Sequence, residues 1–315
     1  MIPKIRVIGL GGCGGKAIDH MIRSGVDGVD FILADRDIQS KNSSLIQQSI
    51  LLETDLSKTG DRAIERPTPT FKKDKQKILQ ALEGGDMVFI IVGLGGGTGT
   101  FWAPVIAEIC SKLDILNVAV VTMPLCNGPS QPRRWAEKGL EKLSTLADTV
   151  IPVDLDVYDS TLYPENDIRE VYDLGHKTIL EAVKRITGLL LLPGCISIDF
   201  KDLKSLFYKK GLADFQIGVG EGRDRARKAA QMAVADLSGW GIRLAAFQQV
   251  LLSFTVGPNV SLKEITEASG VIRKEMENGA TILWGAMSDE TIEKAFKITV
   301  FAIGKKYQKP HPCPT

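Results

Sequence analysis

Residues 88–104, VFIIVGLGGGTGTFWAP, decide the fold. Val88–Val92 is an apolar run of the length expected for a buried strand. It breaks into Gly93, Gly95, Gly96, Gly97, Thr98, Gly99 and Thr100, and a helical pattern follows from Ala103. Glycines let the main chain pass close to a ligand and adopt positive φ at little steric cost. The unpaired N–H groups at the helix start point into the same space. Such a turn binds anions, phosphate above all. Thr98 and Thr100 add hydroxyls without adding charge. A glycine hinge with no ligand is the alternative, and the strand–turn–helix context favours the phosphate cradle.

A second glycine cluster closes the first strand. Lys4–Ile8 is short and β-branched, and it runs into Gly9, Gly11, Gly12, Cys13, Gly14 and Gly15 before a helix over 16–24. Gly9, Gly11 and Gly14 fit G-x-G-x-x-G, and the next strand, Val29–Leu33, leads to Asp35 and Asp37. In a dinucleotide-binding unit a ribose-binding acid sits about there. One dinucleotide needs only one such turn, however. Two cradles suit a nucleoside triphosphate held along its phosphates.

At 315 residues the chain has room for one large or two medium domains. Its 39 Lys and Arg nearly cancel its 38 Asp and Glu, so no bulk field favours nucleic acid or anionic lipid. The same balance leaves self-association unopposed. Cys13, Cys110, Cys126, Cys195 and Cys313 form no CxxC pair and are odd in number. That pattern fits a reducing cytoplasm rather than a disulfide framework, and it supplies no metal site. No apolar run approaches the length of a membrane span.

From Met1 to Val153, strands at 4–8, 29–33, 87–92, 117–122 and 149–153 alternate with helical patterns at 16–24, 74–83, 103–112 and 134–147. Such alternation predicts a parallel sheet with helices on both faces and a ligand beyond the strands' carboxyl ends. Residues 54–73, with Pro67 and Pro69, read as loop. Asp167–Leu192 has helical apolar spacing throughout, stopped by Pro193-Gly194. Beyond residue 210 a smaller α+β pattern begins, with strands at 215–219, 246–255, 279–284 and 296–303 and helices at 223–236 and 261–276. The expected organisation is an α/β nucleotide-binding domain over 1–166, a linking helix over 167–192, an α+β domain over 193–304 and a disordered tail over 305–315.

Taken together, GLGGCGGKA (9–17), GGDMVFIIVGLGGGTGTFWAPVIAEI (84–109), PGCISIDFKDLKSLF (193–207), GVGEGRDRARKAA (218–230) and ITVFAIGKK (298–306) resemble the tubulin/FtsZ superfamily, its FtsZ branch in particular. The resemblance runs in order over about residues 3–306. It implies a Rossmann-like GTPase domain, a long central helix and an α+β C-terminal domain. It also implies GTP or GDP, with Mg2+, held by Gly11, Gly12, Cys13, Gly14, Lys16, Asp37, Gly95, Gly96, Gly97, Thr98, Gly99 and Thr100. Subunits of the family join head to tail, and each inserts carboxylates at its neighbour's nucleotide. Here those acids are Asp199 and Asp202. The implied partner is thus a second copy of the chain, with no nucleic acid, and a membrane only through another protein.

The departures from the family pattern bear on turnover and on base recognition. Ser197 stands where the catalytic loop N-x-D-x-x-D has Asn, and Phe101 where the signature GGGTGTG ends in Gly. Among base-reading positions, an Asn is replaced by Lys16, the Asn-Asp of I-P-N-D by Val153-Asp154, and an Asn-Asp on the central helix by His176-Lys177. Lysine accepts no hydrogen bond and valine neither donates nor accepts. Asp154 therefore remains as an acceptor and His176 or Lys177 as a donor. Asn127 and Arg133 are the candidates for ribose contact, and Ser57–Gly60 lie nearest to the family's γ-phosphate loop. Two readings follow: a cytoskeletal GTPase that polymerises, and a nucleotide-binding scaffold with weak or no hydrolysis. A Rossmann oxidoreductase is a distant third.

Overall fold

The computed structural model describes residues 2–37, 46–56, 68–126, 130–158, 167–191, 196–235, 243–276, 279–290, 292 and 294–305. Asn127, Ser57–Gly60 and the tail beyond Lys305 lie outside them. The chain packs as two compact units, one built from Pro3–Glu181 and one from Ala182 onward.

The first unit is a parallel sheet with strand order β3-β2-β1-β4-β5-β6. The strands are β1 (Ile5–Leu10), β2 (Val29–Asp35), β3 (Gln48–Leu51), β4 (Met87–Gly93), β5 (Leu116–Met123) and β6 (Thr149–Asp154). All residues of β1 and β5 are buried, because helices cover both faces of such a sheet and leave no polar side. The helices are α1 (Gly11–Arg23), α2 (Pro69–Leu82), α3 (Gly97–Lys112), α4 (Ser130–Leu146) and the first half of α5 (Ile168–Leu191). Helices α1 to α4 all begin earlier than the sequence expectation, for one reason, a helix start written in residues that also make turns. Helix α2 opens inside the stretch read as loop: Thr68 accepts from the Phe71 N–H at 3.2 Å, and Pro69 takes the first helical position, where its missing N–H costs nothing. Helix α3 begins at Gly97, so the last glycines and both threonines form its first turn rather than a loop before it.

The second unit holds β7 (Gly211–Glu221), β8 (Gln249–Val256), β9 (Thr281–Ser288) and β10 (Ala295–Lys305) in the order β7-β10-β8-β9. Strand β10 runs antiparallel to both neighbours, and β8 pairs parallel with β9. Helices α6 (Phe200–Phe207), α7 (Arg225–Ala235) and α8 (Leu262–Lys274) complete it. The alanine face of α7, Ala226, Ala229, Ala230 and Ala233, packs into a core with Phe254, Phe296 and Val300. A side chain at Gly218 or Gly220 would collide with the α7 backbone, so the helix lies directly on β7. A capping box starts α8: Glu264 N–H donates to Ser261 Oγ and Ser261 N–H to the Glu264 carboxylate. The α/β first unit and α+β second unit are the architecture expected. Strand β10 extends to Lys305, the first residue assigned to the tail. Among the described cysteines Cys13 and Cys110 are free, whereas Cys126 is disulfide-bonded, a bond that the expectation of a reducing environment did not include.

Candidate functional site

Strands β1 and β4 are neighbours, with Leu10 opposite Val92, so their carboxyl ends reach the same level. The chain passes from β1 to β2 on one side and returns as β4 on the other. Parallel sheets bind ligands at such a reversal of strand order. Both glycine loops emerge there, and α1 and α3 start within them. Gly11 adopts φ 65° and Gly95 φ 96°, backbone shapes that side-chain-bearing residues resist. The two loops touch: a Cβ on Gly11 would lie 3.6 Å from Cβ of Thr98. Neither helix start is capped by a side chain, and neither first turn contains an acid. Two uncapped positive helix ends meeting over bare backbone form an anion cradle.

The glycines divide by surroundings. Around Gly12, Gly96 and Gly97 a Cβ would meet nothing within 4 Å, and all three are exposed. They form the open floor of the cradle. Gly14 and Gly99 are closed by packing instead. A Cβ on Gly14 would lie 2.7 Å from Gly9 C and Ile91 O, and one on Gly99 would strike Val92 and lie 2.9 Å from Gly93 O. Thr100 turns its hydroxyl inward to accept the Gly95 N–H at 2.8 Å, which holds the loop in shape. Thr98, half-buried in the first turn of α3, faces Gly11. Lys16 lies exposed on α1, and Asp37 lies exposed just beyond β2.

Cys13 turns away from the open floor. Its Sγ is 3.6 Å from both Thr122 Oγ1 and His176 Nε2. Burial raises its pKa, so it is a neutral thiol rather than a nucleophile. His176 on α5 is only 3% exposed, and its ring stacks on His20 of α1 with centroids 5.7 Å apart. Burial, reinforced by His20 and Lys16 and opposed by Asp173, brings its pKa down to about 4. The structure thus places His176 beneath the first loop as a neutral imidazole, while Lys177 points to solvent.

Asp154 and Arg133 are brought to each other. Arg133 on α4 donates from Nη1 to Asp154 Oδ1 at 3.0 Å and from Nη2 to Asp154 Oδ2 at 2.9 Å, a bidentate pair. Nη1 also reaches Pro124 O at 2.6 Å and Asp156 Oδ2 at 3.1 Å. The pair fixes the start of α4 to the end of β6, and both carboxylate oxygens of Asp154 are engaged. Each residue is a candidate on sequence grounds alone, and their mutual bond appears only in the fold. Phe101 and Trp102 are buried and pack edge-to-face at 5.4 Å, with Phe71 of α2 against both. Phe101 also borders a cavity of about 350 Å³ that runs from Gly96 and Gly97 to Trp135, Lys138 and Lys142 of α4. Only the lysines one turn apart, Lys138 and Lys142, hinted at that wall in the sequence.

In the second unit, Asp199 is the N-cap of α6: its Oδ1 accepts the Lys201 N–H at 2.7 Å. Asp202 occupies the third helical position, and Ser197 lies two residues before the cap. All three are exposed. Both carboxylates therefore stand at one helix start, facing solvent.

Residues 4–157 match the Tubulin/FtsZ family GTPase domain, and residues 211–306 the FtsZ family C-terminal domain. A cell division protein FtsZ from Wigglesworthia glossinidia brevipalpis is 33% identical over 303 residues, 95% of this chain and 79% of the relative. One from Coxiella burnetii is 32% identical over 305 residues, 96% of this chain and 78% of its own. Among solved structures, an empty FtsZ dimer from M. jannaschii superimposes with TM-score 0.84 at 28% identity, covering 96% of this chain and 89% of that one. CetZ2 from Haloferax volcanii, solved as a GTPγS-bound protofilament, shares the fold with TM-score 0.73 at 17% identity, over 97% and 95% of the two chains. These likenesses remove the oxidoreductase reading. With both characteristic domains in order and its glycine loops at the switch point of the parallel sheet, the chain belongs to the tubulin/FtsZ family.

Proposed function

We propose that this chain is an FtsZ-like cytoskeletal GTPase that polymerises head to tail and hydrolyses GTP where two copies meet. The observation that carries the reading is the pair of uncapped helix starts over Gly12, Gly96 and Gly97, a cradle with open space and no competing acid. Main-chain N–H groups there hold the phosphates, and a Mg2+ arriving with the nucleotide would neutralise part of their charge. Asp199 and Asp202, exposed at the start of α6, reach the nucleotide of the next copy. Their carboxylates orient a water for in-line attack on the γ-phosphorus as its bond to the bridging oxygen breaks, leaving GDP and phosphate. Such chemistry depends on positioning and charge stabilisation more than on a covalent intermediate. Ser197 presents a hydroxyl where an amide would hold the water more firmly, so turnover is slow rather than absent.

Phosphate release from GTP across a protein concentration series tests this. The expected rate switches on above a critical concentration, together with sedimenting polymer, and ATP gives none. Asp199→Asn keeps nucleotide binding and loses turnover. A specific activity independent of concentration would place the whole site in one chain and overturn the proposal. The scaffold reading has its own support in Ser197. It predicts binding and polymer with no turnover at any concentration.

A further inference from the structure

Helices α1 and α5 meet beneath the first glycine loop, away from the open floor of the cradle. His20 on α1 and Asp173 and His176 on α5 bring three ligand atoms to within 4.8 Å of one another. His176 Nδ1 is buried and has no hydrogen-bond partner. Asp173 Oδ1 lies 3.9 Å from it, beyond hydrogen-bond reach. A buried ring nitrogen left without a partner is costly. Tetrahedral bonds of about 2 Å set neighbouring donor atoms about 3.3 Å apart, so the 3.9 Å between His176 Nδ1 and Asp173 Oδ1 has to close by several tenths of an ångström around an ion.

We propose that His20, Asp173 and His176 bind a divalent transition metal of the zinc class, clamping α1 to α5. The donor set selects the metal. Two imidazoles suit Zn2+, Co2+ or Ni2+, whereas Mg2+ prefers oxygen and keeps its water. Asp173 is exposed and His20 half-buried, so both move to complete the shell while His176 stays fixed. Three protein ligands leave one position for water, which makes the ion exchangeable. Lys16 on α1 also faces the cluster, and its charge opposes a bound cation. The Asp173 carboxylate answers it. Metal on Nδ1 leaves the His176 ring proton on Nε2, 3.6 Å from Cys13 Sγ. That links the clamp to the first glycine loop through one side chain.

The test uses the full chain without an affinity tag, stripped with chelator and titrated with Co2+ by visible absorption. The expected result is one equivalent with the intense bands of a low-coordinate cobalt–imidazole site, displaced by Zn2+ and untouched by excess Mg2+. His20→Gln and Asp173→Asn each weaken Co2+ by roughly tenfold or more. His311→Gln, which removes the only other histidine, changes nothing. Both test positions are away from the deep core, so folding survives, and a Zn2+-induced rise in melting temperature absent from His20→Gln is a second readout. No saturable band, unchanged affinity in either ligand variant, loss in His311→Gln, or displacement by Mg2+ each overturns the proposal.

Discussion

Gly12 and Gly14 stand two positions apart in α1 and face opposite demands. Gly12 looks onto open space, so Gly12→Ala leaves stability within about 0.5 kcal/mol, or raises it through better helix propensity. It puts a methyl into the cradle, however, and nucleotide titration should show weaker GTP binding. Gly14→Ala drives a methyl to 2.7 Å from the backbone of β1 and β4, and overpacking of this kind costs about 1–3 kcal/mol in chemical denaturation. Both glycines are legible in the sequence but the division between them is not, because it depends on what lies across the turn. Arg133 and Asp154 were likewise chosen one by one. Their bond joins residues 21 apart and carries no local signal. Only Arg presents the fork that meets Asp154, Asp156 and Pro124 together, so Arg133→Lys should cost about 1–3 kcal/mol, read as a lower denaturation midpoint.

At the scale of elements, α6 combines in Asp199 an observed capping role with the chemical role proposed for it. Asp199 caps the helix, and Asn caps about as well as Asp, whereas Ala does not. Asp199→Asn should therefore fold like the parent while losing GTP turnover, and Asp199→Ala should lose turnover and about 1 kcal/mol of stability. Thermal melts beside activity separate the two roles. Helix α3 holds a different lesson. Phe101 departs from a family glycine, yet its ring packs on Trp102 and Phe71, so restoring the family residue does not restore the family's local structure. Phe101→Gly removes that packing and adds a helical glycine, a loss of about 4 kcal/mol by denaturation. The long α5 was legible because its apolar period runs unbroken for 24 residues. The start of α2 was not, since Thr68-Pro69 spells a turn as readily as a cap.

At the scale of the whole molecule, the proposed site is divided between copies, which makes it open to complementation. Asp199→Asn retains intact loops, and a loop variant such as Gly12→Ala retains intact carboxylates. Neither alone should turn over GTP well. Mixed in equal amounts, random head-to-tail assembly places about a quarter of interfaces with both good halves together, and up to that share of activity should return. A mixture no better than its parts would place the whole site within one chain. The order of domains and the strand–loop–helix framework were readable because glycine, β-branched and helical patterns are local. Base recognition was not, because it depends on side chains that meet only after folding. The bare floor at Gly12, Gly96 and Gly97 accounts for that asymmetry. A grip made of main-chain amides has no side chain to lose, so short of proline a substitution there adds an obstacle without deleting a donor. Hold on the phosphates is thus insulated from mutational drift, while the choice of base is written in residues free to change. A lineage on this scaffold can wander in what it selects without first letting go of what it holds.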